Sequence, residues 1–486
     1  MKSTGRTYLR WLLLTALLLA AVPTKAQSVP DGFSVVTLSN NLQGDAVGFS
    51  ILPDGRVLVI YHQLGYVRLL VDKTLKLEPL LTVPRLVKTA EQGLLGIAVD
   101  PDFPEANYIY LFHTQDDSTN RVTRFTVGGD LSDPNSDNLT IDAASGDTLL
   151  VLPDDTRFHS GGTLRFGQDK TLYVSHGDDV QLNDIQSLAT PYGKILRINR
   201  DGSVPDDNPV FPDEPDDKRG DIYAIGLRNP FRFNIDPVTG TLLIGDVGTN
   251  LFQEINLSTG GENFGYPKHE GHGFFRDTMS LIAPEPTFPV YDYPQTPSSR
   301  SVIALATYRP RDFPNDNSFP ADYDGVHFFA DFYDDELRYL RPDGNGGWTK
   351  EVFGTGFSTL VDAAIGLDGS LYVLTFKGGL RKIVYGSGFV DAASEAGLLP
   401  FSLEQNFPNP VSRETAITYT LSHPTPVKLE VFDVLGRSVA VLADGWQSEG
   451  AHTVPFDASF LSSGVYFYRL QSGEHHATKT MVLGPR

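Results

Sequence analysis

The chain has 486 residues, 40% of them hydrophobic and 11% aromatic, enough for one large packed domain and a smaller companion. A formal net charge of -21 argues against nucleic acid as a partner, because phosphate binding rests on clustered Lys and Arg. With no cysteine, disulfides, thiolate metal sites, iron–sulfur clusters and cysteine nucleophiles are excluded.

At the N-terminus, Lys2, Arg6 and Arg10 precede an apolar run over residues 11–22 and a small residue, Ala26, at a cleavage-like position. This reads as a signal peptide over residues 1–26. The run is short for a membrane span and no second apolar stretch of about 18 residues follows, so the mature chain is expected to be soluble and exported.

From residue 30 onward a strand–turn–strand pattern recurs. Apolar segments reverse through Pro53-Asp54-Gly55, Asp100-Pro101-Asp102, Gly167-Gln168-Asp169-Lys170, Asp236-Pro237-Val238-Thr239-Gly240 and Asp368-Gly369, with a looser copy over residues 304–330. Asp and Gly tolerate the φ values of tight reversals, and six copies at propeller-like spacing predict an all-β, six-bladed β-propeller over residues 30–385. No segment has convincing helical periodicity.

Chemistry-bearing residues stand beside these strands. Phe158-His159-Ser160-Gly161-Gly162 places an imidazole, whose ordinary pKa lies near working pH, ahead of a strand. Gly226-Leu227-Arg228-Asn229-Pro230 places a planar donor fork before a proline that restrains its neighbour, an arrangement suited to an anionic or carbonyl-bearing ligand. Gly245-Asp246-Val247-Gly248-Thr249-Asn250, leading to Glu254, offers backbone carbonyls and carboxylates of the kind calcium takes. The plain alternatives are a loop histidine, an arginine holding neighbouring carbonyls and a solvated glutamate.

Small and polar residues over 386–402 mark a linker. Beyond it, period-two segments at 415–421 and 427–433, punctuated by Gly436, Gly445, Gly450 and Gly464, predict a small C-terminal β-sandwich over residues 403–486.

Taken with Glu91-Gln92-Gly93-Leu94-Leu95-Gly96, Gly193-Lys194-Ile195-Leu196-Arg197-Ile198 and Gly261-Glu262-Asn263-Phe264-Gly265-Tyr266-Pro267, these motifs resemble the glucose/sorbosone dehydrogenase family, the soluble sugar dehydrogenases that use pyrroloquinoline quinone (PQQ). The resemblance implies oxidation of an aldose or oligosaccharide at C1 to the lactone, with electrons passed to an external acceptor. It implies His159 as the base with Arg228 beside it, Arg228 and Asn229 on the quinone, and a calcium ion on the carbonyls of Gly248 and Thr249, with Glu254 at a second calcium site. Glu91, Gln92 and Asp178 are the expected sugar contacts. Where glucose-oxidising members of the family carry a cofactor-binding Lys this chain has Tyr333, and residues 357–362, including Thr359 and Val361, contain none of the family's arginines. The alternatives are a cofactor-free propeller that binds a glycan or protein partner, and a calcium-dependent lactonase.

The tail carries Gln405-Asn406-Phe407-Pro408-Asn409-Pro410, Val431-Phe432-Asp433-Val434-Leu435-Gly436-Arg437 and Ser463-Gly464-Val465-Tyr466. It resembles the C-terminal sorting domain of the type IX secretion system, which implies that machinery as a partner and a secreted or cell-surface location.

Overall fold

The computed structural model describes residues 27–386 and 401–484, apart from 40–41, 43, 117, 132, 213–217, 277–278, 283, 297–299, 310–317, 377, 422–423, 434–436 and 473–474. The expected signal peptide and nearly all of the expected linker lie outside the described residues.

Six antiparallel sheets follow one another along the chain, each starting from a strand of three to six residues. Those first strands are Ala46–Ile51, Leu94–Val99, Leu164–Phe166, Arg232–Ile235, Val302–Thr307 and Leu360–Ile365. Each contacts the next, and the last returns to the first, so the sheets close into a ring around these inner strands. The architecture is all-β and that of a propeller; among the described residues the only helical elements are two three-residue 3₁₀ turns. The sixth sheet is completed by Phe33–Ser39, which pairs antiparallel with Gly379–Tyr385 and so joins the two ends of the ring.

The apolar sequence explains the stacking. Strand Val57–Tyr61 is buried at all five positions. Leu58 and Ile60 enter a core shared with the second sheet, whereas Val57, Val59 and Tyr61 enter one shared with the sixth. Period-two alternation thus divides apolar residues between two cores, since successive side chains point to opposite faces. Further cores join each remaining neighbouring pair of sheets.

Arg232 lies among the inner strands. Its guanidinium donates to the carbonyls of Val361 (2.8 Å), Val47 (2.6 Å) and Phe231 (3.0 Å) and to Thr163 Oγ1 (3.1 Å). One fully buried cation therefore ties the first, third, fourth and sixth sheets together. Burial lowers its pKa to about 10, and the saturated ring of oxygen acceptors offsets the lost hydration.

In the tail, Phe401–Leu403, Glu414–Leu421 and Gly450–Asp457 form one sheet, and Ser438–Gln447, Thr425–Phe432, Gly464–Ser472 and His475–Leu483 another. The two share one core that includes Ile417, Leu429, Val431 and Tyr468. The asparagines of the first tail motif act as clasps. Asn406 Nδ2 donates to Thr415 Oγ1 at 2.9 Å and to the Pro408 carbonyl at 3.1 Å, and Asn409 Oδ1 accepts Val482 N–H at 2.8 Å.

Candidate active site

In an antiparallel sheet the start of one strand lies beside the end of the next. The segments before the inner strands (91–93, 158–162 and 226–230) therefore share one face of the ring with those after the second strands (177–179 and 247–251).

Glycines let the His159 loop approach its neighbours. A Cβ on Gly177 would lie 1.8 Å from the His159 carbonyl oxygen, and one on Gly96 would lie 2.1 Å from the Gly162 carbonyl oxygen. His159 itself has φ +61°, a strained left-handed conformation that tertiary packing must impose. The loop thereby drops between the second and third sheets and presents its imidazole, whose side chain keeps 17% exposure.

Arg228 Nη2 lies 2.7 Å from His159 Nε2, and Asp178 Oδ1 lies 2.6 Å from His159 Nδ1. A guanidinium only donates, so Nε2 is the accepting nitrogen, and Nδ1 carries the hydrogen and donates to Asp178. Asp178 Oδ1 also accepts Val180 N–H at 2.9 Å, while its buried Oδ2 has no partner. Arg228 is fixed by donation from Nη1 to the Val247 carbonyl at 2.6 Å. Asp246 accepts the backbone N–H groups of both Arg228 (2.9 Å) and Asn229 (2.7 Å). Asn229 Oδ1 in turn accepts Gly161 N–H at 3.2 Å, which links the arginine loop to the histidine loop. Nδ2 of Asn229 has no partner among the described residues.

Beneath this constellation lie three more buried carboxylates. Asp246 and Glu254 are cross-strand partners. Burial pushes both carboxyls up, and for Glu254 the charge of Asp246 adds to the effect. Glu254 accepts from Gly271 N–H and from Asn256 Nδ2, and Asn256 Oδ1 is buried without a partner. Glu270, 1% exposed, receives at Oε1 the N–H groups of Thr249 (2.8 Å), Asn250 (3.0 Å), Leu251 (2.8 Å) and Phe252 (3.1 Å).

The residues anticipated from sequence fall into groups. His159, Arg228, Asn229 and Asp178 converge, with Asp178 turned to the histidine ring rather than outward. Glu91 joins them, its Oε2 accepting His159 N–H at 2.7 Å. Gln92 is turned inward: Nε2 donates to Asp154 and to the Thr156 carbonyl, and Oε1 accepts from Thr89. Gly248 and Thr249 share the loop above Glu270, and Glu254 sits on the strand below. Tyr333 is 59% exposed, and the Val361 carbonyl is held by Arg232. Asp246, Glu270 and Asp154 were not singled out by sequence; Asp246 at least lies within a quoted motif, whereas Glu270 carries no local signature. Asp154, which supports Gln92 and Asn120, is pushed up to about 6, chiefly by burial.

Residues 45–384 match the family model described as glucose/sorbosone dehydrogenase, and residues 405–484 match the secretion system C-terminal sorting domain. Quinoprotein glucose dehydrogenase B of Acinetobacter calcoaceticus is 30% identical over 251 residues, covering 45% of this chain and 49% of that protein. The alignment thus spans about half of that curated relative. Among solved structures, the apo-form of the soluble aldose sugar dehydrogenase from Escherichia coli shares 25% identity at a TM-score of 0.58, covering 73% of this chain and 99% of that one. The PQQ-bound aldose sugar dehydrogenase from Streptomyces coelicolor shares 24% identity at a TM-score of 0.57, over 74% of this chain and 99% of that one, a likeness of fold. The chain belongs to the glucose/sorbosone dehydrogenase family and carries a C-terminal sorting domain.

Proposed function

We propose that this family member is an exported PQQ-dependent sugar dehydrogenase that oxidises an aldose or oligosaccharide at C1 to the lactone. The observation that carries the reading is the line Asp178–His159–Arg228, in which the accepting nitrogen of a carboxylate-oriented imidazole meets a guanidinium at 2.7 Å.

Oxidation of the anomeric C–OH to the lactone removes one hydride and one proton. PQQ, when bound, supplies the two-electron oxidant that takes the hydride, and calcium supplies a Lewis acid beside it. His159 Nε2 takes the hydroxyl proton, with Asp178 holding Nδ1–H and offsetting the charge that appears on the ring. With a carbonyl-bearing ligand bound, Arg228 would donate to it in place of His159 Nε2, and Asn229 Nδ2, which has no partner among the described residues, would be free to donate as well. Glu91 Oε2 is taken by His159 N–H, which leaves Oε1 for a sugar hydroxyl. The Gly248 and Thr249 carbonyls would be ligands of the calcium ion, and Glu254 would contribute to a second calcium site.

These groups fit the carbonyl-bearing end of the cofactor. At the carboxylate end the exposed Tyr333 offers a hydroxyl and an aromatic face rather than a cation. That feature favours the second reading, a cofactor-free propeller that binds a glycan or protein partner. Counting one blade per sheet makes the ring six-bladed over residues 30–385, and the two tail sheets make a β-sandwich over 403–486. The sorting domain supports delivery to the cell surface or the medium by the type IX machinery, after a signal peptide at residues 1–26. No helix among the described residues is long and apolar enough to cross a membrane.

The test is titration of the purified chain with PQQ and calcium, followed by dye reduction over a broad sugar panel. Saturable quinone binding with sugar-dependent dye reduction supports the dehydrogenase. No quinone binding together with glycan retention sinks it in favour of the binding module, and acid release without an electron acceptor points to a lactonase.

A further inference from the structure

The loop after Leu242–Asp246 is held in an unusual way. Four consecutive backbone N–H groups, from Thr249 to Phe252, converge on the single oxygen Oε1 of Glu270 at 2.8–3.1 Å. In a trans peptide the carbonyl points opposite to the N–H of the same unit. The N–H of Thr249 belongs to the peptide unit of the Gly248 carbonyl, and that of Asn250 to the unit of the Thr249 carbonyl. Clamping these two N–H groups inward therefore turns both carbonyls away from the buried carboxylate.

The packing around the loop is close at this point. A Cβ on Gly248 would lie 1.8 Å from the Phe252 carbonyl oxygen and 2.5 Å from Glu270 Oε1, so the backbone lies directly against the carboxylate. Glu270 itself is 1% exposed, and its Oε2 is buried without a hydrogen-bond partner. A buried carboxylate tolerates desolvation when several N–H donors converge on it. The Gly248 carbonyl accepts no hydrogen bond among the described residues. The Thr249 carbonyl accepts only a long bond, 3.3 Å from Gln295 Nε2.

We propose that Glu270 is a positioning residue that, by gathering the Thr249–Phe252 amides, aims the Gly248 and Thr249 carbonyls as a preformed pair of ligands for a divalent cation. The proposal rests on the calcium reading given above and deepens it. Glu270 acts through the backbone and contacts neither sugar nor cofactor.

The experiment is calorimetric titration of the full-length metal-free chain with calcium chloride alone, with melting curves taken with and without calcium. Glu270→Ala removes the acceptor, and Glu270→Gln leaves a carbonyl oxygen at the same place without the charge. Calcium affinity is expected to fall at least tenfold in Glu270→Ala, the range found when a group orienting a metal ligand is lost, with the calcium-induced rise in melting temperature lost as well. Glu270→Gln is expected to stay within about threefold of the parent, because the amides keep an acceptor. Should Glu270→Ala fail to fold, Glu270→Asp, too short to reach four amides, takes its place with the same expectation. Parent-like affinity in Glu270→Ala or Glu270→Asp overturns the proposal. Equal weakening in Glu270→Gln and Glu270→Ala also overturns it, since charge rather than loop geometry would then be at work. A parent chain that binds no calcium removes the metal reading and this proposal together.

Discussion

Replacing Asp178 by Asn tests the proton-accepting role of His159 with little change of shape. Oδ1 already accepts from both His159 Nδ1–H and Val180 N–H, so the amide oxygen must occupy that position and the NH₂ must take the place of the buried, unpartnered Oδ2. The ring keeps its orientation but loses the charge that offsets its protonation, while Arg228 stands 2.7 Å from Nε2 on the other side. Unit charges about 4 Å apart at an effective dielectric of about 20 interact by about 4 kcal/mol. If half of the proton's charge has reached the ring in the transition state, about 2 kcal/mol is lost and kcat falls about 30-fold; full transfer gives about 10³-fold. The assay is dye reduction by the PQQ- and calcium-loaded enzyme under saturating sugar, with KM measured alongside. A kcat within threefold of the parent would refute the assignment of His159 as base, because the imidazolium would then never have needed the carboxylate.

Arg228→Met removes the donors to His159 Nε2 and the Val247 carbonyl and is expected to lower dye reduction about 10²-fold, the cost of one preorganised donor. Gly248→Ala places a methyl group 1.8 Å from the Phe252 carbonyl oxygen and is expected to cost about 1–3 kcal/mol, read as a lower melting temperature. Asp154, raised from 3.8 to about 6, stabilises the fold fully below about pH 4 and loses that contribution as pH rises through about 6. Parent stability should therefore decline by up to about 3 kcal/mol from this group between pH 4 and 7, and Asp154→Asn should show a flatter melting profile over that range.

Turns were the most legible part of the sequence, because Pro53-Asp54-Gly55 and its counterparts announce reversals through local chemistry alone. Strands such as Val57–Tyr61 were harder to read as two-sided, since burial on both faces erases the polar half of the alternation. The role of Phe33–Ser39 had no local signal, for its partner lies at the far end of the ring. At the site, His159, Arg228 and Asn229 stood out because glycines and a proline surround them. Glu270 did not: its importance comes from amides some twenty residues earlier that only folding brings to it. Gln92 shows the converse, since a position inside a clear motif gave no indication of which way its amide would turn.

Closure of the ring by its own N-terminal strand has a consequence for the order of folding. Phe33 pairs with Tyr385, so the sixth sheet cannot be finished until almost the whole ring has been made. The entropy of bringing such distant segments together must be met before their pairing contributes anything. A growing chain therefore keeps its N-terminal strand unpaired and its last sheet incomplete, and a polypeptide cut anywhere before the final ring strand leaves an open ring rather than a smaller closed one.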